Sequence, residues 1–102
     1  MAKKTMKFQY SICTTWLREK AAELTAQGFK VEVKENAAYT PSFLLKIASS
    51  KTDAELVVWE TGSTSMIVVD IAAKDYVLDR SDIVLVSEQF EADLKVFFGL
   101  VK

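Results

Sequence analysis

Histidine is absent from this chain of 102 residues, and cysteine occurs once. Without histidine there is no Ser–His or Cys–His nucleophilic pair and no His-based metal site. A lone Cys13 gives no disulfide framework and points to a reducing compartment, by default the cytoplasm. Three glycines and one proline argue against long disordered linkers. The turn glycine Gly62 makes no phosphate loop, because neither G-x-G-x-x-G nor G-x-x-x-x-G-K-[ST] occurs. No stretch reaches the ~18–20 apolar residues that span a bilayer. The opening MAKKTMKFQYSICTTW carries Lys3, Lys4 and Lys7 but no uninterrupted apolar segment behind them, so it does not read as a signal peptide. Neither a metal nor a cofactor is expected, and no membrane association.

Half of the residues are apolar and 26% are charged, the balance of a soluble globular protein. The length suits one domain, 1–102. Such a domain buries ~60–70% of the surface of its unfolded chain, which sustains a modest core without staples. Net charge is −1 but unevenly spread. Residues 1–52 carry nine Lys/Arg against four Asp/Glu, and residues 53–102 carry four against ten. An acidic second half suits encounter with a basic protein partner. A nucleic-acid binder would instead show a concentrated basic stripe, so no nucleic-acid partner is expected.

Helical spacing runs from about Thr5 to Gln27. Met6, Tyr10, Cys13, Leu17, Ala21 and Leu24 recur at threes and fours, with Phe8, Ile12 and Trp16 as a second strip beside them. Thr5, Ser11 and Thr14 are each suited to cap its start. Gly28 fits the left-handed residue that ends a helix, with Phe29 folding back on the last turn. FKVEVKE then alternates, Phe29, Val31 and Val33 inward, as an edge strand does, and its lysines discourage further pairing. SFLLKIAS, after Pro41, is a second strand. ELVVWETGSTSMIVVDI holds two more, joined by Thr61–Gly62–Ser63–Thr64. AAKD is a turn, and YVLD with IVLVS is one bent strand or two short ones, interrupted around Arg80–Ser81. Ser87 is a good cap for a last helix striped by Phe90, Leu94, Phe97, Phe98 and Val101.

Strands joined by such short turns must be antiparallel, since a parallel crossover needs a dozen or more residues. The class is α+β, an antiparallel meander of four to five strands flanked by an N-terminal and a C-terminal helix. Leu56–Val57–Val58–Trp59 and Met66–Ile67–Val68–Val69 do not alternate, so both faces of that hairpin are apolar. Either the helices take one face each, or they share one and leave the other to another molecule.

No catalytic residue can be assigned. Cys13 lies on an apolar helix stripe and reads as a buried structural thiol. Glu60 and Asp70 sit on the two arms of the hairpin and are the nearest thing to an acid–base pair, but sheet carboxylates are usually solvated. Asp75, Asp79 and Asp82 lack the spacing, glycine and terminal glutamate of a calcium loop. Trp59 is either a core tryptophan under a helix or an aromatic anchor at an interface.

VVWETG, Val57 to Gly62, adds a resemblance. With the amphipathic helix before it and DIVLVSEQFEADLKVFFGLV closing the chain, the layout resembles the immunity proteins of bacterial polymorphic toxin systems, most of all the TriTu type. Its sharpest piece is Trp59, Glu60 and Gly62. The resemblance implies a non-enzymatic inhibitor of an Rhs-linked, type VI-secreted ADP-ribosyltransferase toxin acting on elongation factor Tu. It implies stoichiometric occlusion of the toxin's basic, NAD-binding cleft, by a protein that is a monomer or weak dimer when free. The surface expected to meet the toxin is Trp59 and Glu60 with the acids Asp70, Asp75 and Asp79, or else the strip Phe8, Ile12 and Trp16. The alternative reading is a small acidic secretion chaperone that holds an effector as a dimer.

Overall fold

Each strand of this protein hydrogen-bonds to the strands next to it in the chain, so order along the sequence becomes order across the sheet. The computed structural model describes residues 9–36, 39–84 and 90–101. Helix α1 spans Tyr10–Ala26 and is followed by β1 (Lys30–Asn36), β2 (Ser42–Ala48), β3 (Thr52–Trp59), β4 (Ser63–Asp70) and β5 (Asp75–Val84), then α2 (Phe90–Leu100). The sheet order is β1-β2-β3-β4-β5, antiparallel throughout. The expected α+β meander is what the chain forms, with five strands and a helix at either end among the described residues.

Local chemistry sets the ends of the elements. Gly28 takes φ +100, its N–H donates to the Thr25 carbonyl at 3.0 Å, and the Phe29 N–H donates to the Leu24 carbonyl at 3.0 Å. That pairing is a Schellman motif, and it satisfies carbonyls the helix leaves over. Ser49 holds the β2–β3 turn, where its hydroxyl accepts from the Lys51 and Thr52 N–H groups, each at 3.1 Å. Gly62, at φ +96, closes the β3–β4 turn, with its N–H 2.8 Å from the Trp59 carbonyl.

Both helices lie on the same face of the sheet. Helix α1 covers β1 and β2, and α2 covers β4. Cys13, Leu17 and Ala21 from α1 and Phe90, Leu94 and Phe97 from α2 meet Phe43, Leu45, Ile47, Ala54, Leu56, Val58, Met66 and Val68 from the sheet in one buried cluster. Trp16 joins the helices, edge-on to Phe90 at 5.6 Å and to Phe98 at 5.7 Å between centroids. Arg18 ties α1 to β1 through an ion pair with Glu35 and rests 5.6 Å from the Phe43 ring centroid. No buried side-chain N or O among the described residues lacks a hydrogen bond.

Four expectations need correction or comment. Helix α1 starts at Tyr10 rather than near Thr5, because Gln9 is extended at φ −96, ψ 92. No side chain caps it. Thr14 instead donates to the Ser11 carbonyl from inside the helix, while Met6, Phe8 and Thr5 lie outside the described residues. Val33 does face the helix side, opposite the fully buried Leu45, but it stays 39% exposed because β1 is the margin of the sheet with no strand beyond it among the described residues. The fifth strand is one bent strand. Its register slips between Thr64 and Met66 and again between Val68 and Val69, adding one residue each time. The proposed Ser87 cap lies outside the described residues, and the first turn of α2 carries Glu91 and Asp93.

One consequence can be measured. Leu56 is fully buried under the helices, whereas its neighbour Val57 faces the other way and is only partly covered. Leu56→Ala should cost about 2–5 kcal/mol in urea unfolding, and Val57→Ala about 1 kcal/mol or less.

Candidate functional site

The face away from the helices is assembled from alternate residues of all five strands. Opposite residues fall in rows across it. One row is Lys34, Leu44, Val57 and Ser65, and the next is Glu32, Lys46, Glu55, Ile67 and Asp79. A third is Lys30, Ala48, Asp53, Val69 and Tyr76. Leu44, Val57, Trp59, Ile67 and Val69 are partly exposed there, and none belongs to the buried cluster or packs against it. The helices bury their side chains against the opposite face. Near the β4–β5 turn the apolar surface opens further: Tyr76 is 58% exposed and Ile71 42%. These two line a hollow with Asp53, Val69, Lys74 and Asp75.

Trp59 ends β3 on this open face, so it is not a tryptophan packed beneath a helix. The chain beyond it is fixed: the Glu60 N–H donates to the Pro41 carbonyl at 2.8 Å, and the Thr64 hydroxyl donates to the Gly62 carbonyl at 2.9 Å. Glu60 is therefore held, exposed, at the rim beside Trp59. Asp79 shares the face, opposite Ile67.

Asp70 and Asp75 do not join them. They pair with each other at the far end of the hairpin, where Asp70 also sits opposite Thr52. Seven residue steps of β3 separate that end from Trp59, about 24 Å at the rise of an antiparallel strand. Asp70 accepts from the Ala73 N–H at 3.0 Å and Asp75 from the Tyr76 N–H at 2.8 Å, so both carboxylates shape the β4–β5 turn. Glu60 and Asp70 consequently form no acid–base pair. Sequence reasoning missed Leu44, Lys46, Glu55 and Tyr76 as members of the surface. The unbroken Phe43–Leu44–Leu45 run carried the same signal as the central hairpin.

The helical side offers a smaller cleft of about 380 Å³, lined by Trp16, Lys20, Glu91, Ala92, Lys95 and Phe98. Trp16 is already engaged there, between the two phenylalanines and with the Lys20 ammonium 5.3 Å from its ring centroid. Of the alternative strip, only Ile12 stands open, at 51% exposure, and Phe8 lies outside the described residues. Among the described residues no three metal-ligating side chains converge, and no helix is long and apolar enough to cross a membrane.

A surface that sets apolar side chains among alternating charges and carries no assigned reactive group is suited to holding another protein. Compared with known families, residues 7–99 match the model of Immunity protein TriTu. The chain belongs to this family. A TriTu immunity protein is not an enzyme, and membership implies that it binds and neutralises a cognate toxin. It also favours that role over a secretion chaperone. Neither the curated proteins nor the solved structures gave a match.

Cys13 has no part in the surface. It is fully buried, and burial pushes its thiol up to about 12 from an ordinary 9.0. A thiol reagent should leave the native protein unmodified at pH 8 and titrate one thiol after unfolding. Because the folded state holds this proton longer, its contribution to stability is full below about pH 9 and declines as pH rises towards about 12. A fast native-state reaction would contradict both statements.

Proposed function

We propose that the chain, as one domain spanning 1–102, neutralises its toxin by stoichiometric occlusion, with the open sheet face as the contact surface. One observation carries this reading: partly exposed Leu44, Val57, Trp59, Ile67 and Val69 lie on the sheet face opposite both helices, outside the core cluster. Apolar patches of this kind on a soluble protein usually mark interaction sites. Trp59 is the anchor, since it brings a large area and one N–H donor at the end of a fixed strand. Glu60 beside it, and Asp79 farther along the same face opposite Ile67, meet basic groups of the toxin. Asp70 and Asp75, at the distant turn, act by steering the encounter, a contribution that salt screens over ~8 Å at physiological ionic strength.

The toxin that fits the TriTu resemblance is an Rhs-linked, type VI-secreted ADP-ribosyltransferase acting on elongation factor Tu. Such an enzyme must bind an anionic dinucleotide, so a positively charged cleft is expected, and an acidic inhibitor complements it. The inhibitor would act in the cytoplasm of the producing cell.

The test is titration of the toxin domain with the wild-type chain and variants, read by calorimetry and by residual transferase activity. Inhibition should be complete at one equivalent. Trp59→Ala should weaken binding by at least ~2 kcal/mol, about thirtyfold, while urea unfolding shows a smaller loss. Asp79→Lys should slow association and flatten its salt dependence. If Trp59→Ala, Asp79→Lys and Val57→Asp all bind as wild type, the contact surface lies elsewhere.

A further inference from the structure

The two margins of the sheet are built differently. At one, β5 carries two bulges against β4, a device that spoils an edge as a template for further pairing. At the other, β1 keeps an unbroken register with β2 over all seven residues, Lys30–Asn36, without bulge or proline. No strand lies on its outer side among the described residues. Its guard is charge alone: Lys30, Glu32 and Lys34 on the open face, and Glu35, held by Arg18, on the helix face. Charge repels only a partner that does not answer it.

We propose that the β1 edge is an interface for a second copy of this chain, paired antiparallel about a two-fold axis at Val33. That register overlaps all seven residues with their counterparts. It places Glu32 opposite Lys34 of the second copy, and Lys34 opposite its Glu32. Within one chain Lys34 Nζ already lies 3.3 Å from Glu32 Oε2, so pairing builds four charges of alternating sign. Val33, 39% exposed, meets its own counterpart and leaves water. Neighbouring registers that keep the same faces together fare worse. Centring on Glu32 sets it against itself and Lys30 against Lys34, and centring on Lys34 sets like charges together again.

Opposite residues in this register share a face, so all four helices stay on one side and the two open faces become one continuous surface. The dimer thus leaves the proposed toxin surface uncovered. Two seven-residue edges bury less than the ~1,600 Å² of a standard interface, so the association is weak and concentration-dependent.

Sedimentation equilibrium from micromolar to millimolar protein tests the pairing. Wild type should pass from monomer to dimer across that range. Lys34→Glu sets Glu32 against a glutamate and should raise the dimer Kd by an order of magnitude or more. Adding Glu32→Lys to it restores opposite charges and should restore the dimer. Mild oxidation tests the register. Val33→Cys should cross-link to its counterpart, as directly opposed strand residues can, because their Cα atoms lie ~4.5–5.5 Å apart. Val31→Cys should not, because its counterpart is ~14 Å away. The buried Cys13 gives no background. A monomer at millimolar concentration overturns the proposal. So does a Lys34→Glu variant that dimerises as wild type, a double variant that stays monomeric, or Val31→Cys linking as well as Val33→Cys.

Discussion

Both helices compete for the same face of one sheet, and the rest of the structure follows from that. Phe43, Leu45, Ile47, Leu56, Val58, Met66 and Val68 need cover, and α1 and α2 supply it side by side, joined through Trp16. Seven such side chains, each stabilising by roughly 1.5–3 kcal/mol when fully buried, outweigh what the opposite face would gain from either helix. A helix moved to the far side would bury Val57, Ile67 and Val69 but strip half of that cluster. The uncovered face is therefore a result of packing and not a defect in it. It is also the surface that the proposed contact with the toxin would use.

The meander adds a lateral polarity. Since strand order follows chain order, the acid-rich second half of the sequence becomes the β3–β5 side of the molecule, and lysines gather towards β1 and β2. On the open face the row Glu32, Lys46, Glu55 alternates in sign before it reaches Ile67 and Asp79. Cross-strand neighbours of opposite sign support the sheet modestly. On the proposed contact surface they would also select the partner, because a ligand would have to match the order of charges as well as the apolar side chains.

The sequence was most legible where one residue does one local job. Gly28 and Phe29 announced the end of α1, and turn lengths announced an antiparallel order. Non-alternation in Leu56–Trp59 and Met66–Val69 announced two apolar faces, but not which would be covered, since that depends on where distant helices dock. The candidate surface was half legible. Trp59, Glu60 and Asp79 share a face or its rim, whereas Asp70 and Asp75 were grouped with them by charge and proximity in sequence. In a hairpin, however, residues close to one turn are far from the next by the full length of a strand. Val33 failed for a related reason: alternation gives its side chain a direction but cannot say whether a helix extends far enough to shelter it.

The bulges of β5 also govern curvature. Its ten residues run alongside the eight of β4, and the two strands are tied near both ends, Asp75 to Asp70 and Val84 to Ser63. The surplus of about 6–7 Å of strand cannot overhang, so it is taken up as coil and twist at that margin. Like the outer lane of a running track, β5 is longer because the path bends. If this face is the contact surface proposed above, its built-in warp makes it a poor fit for a flat partner and presents its curvature already formed before any toxin arrives.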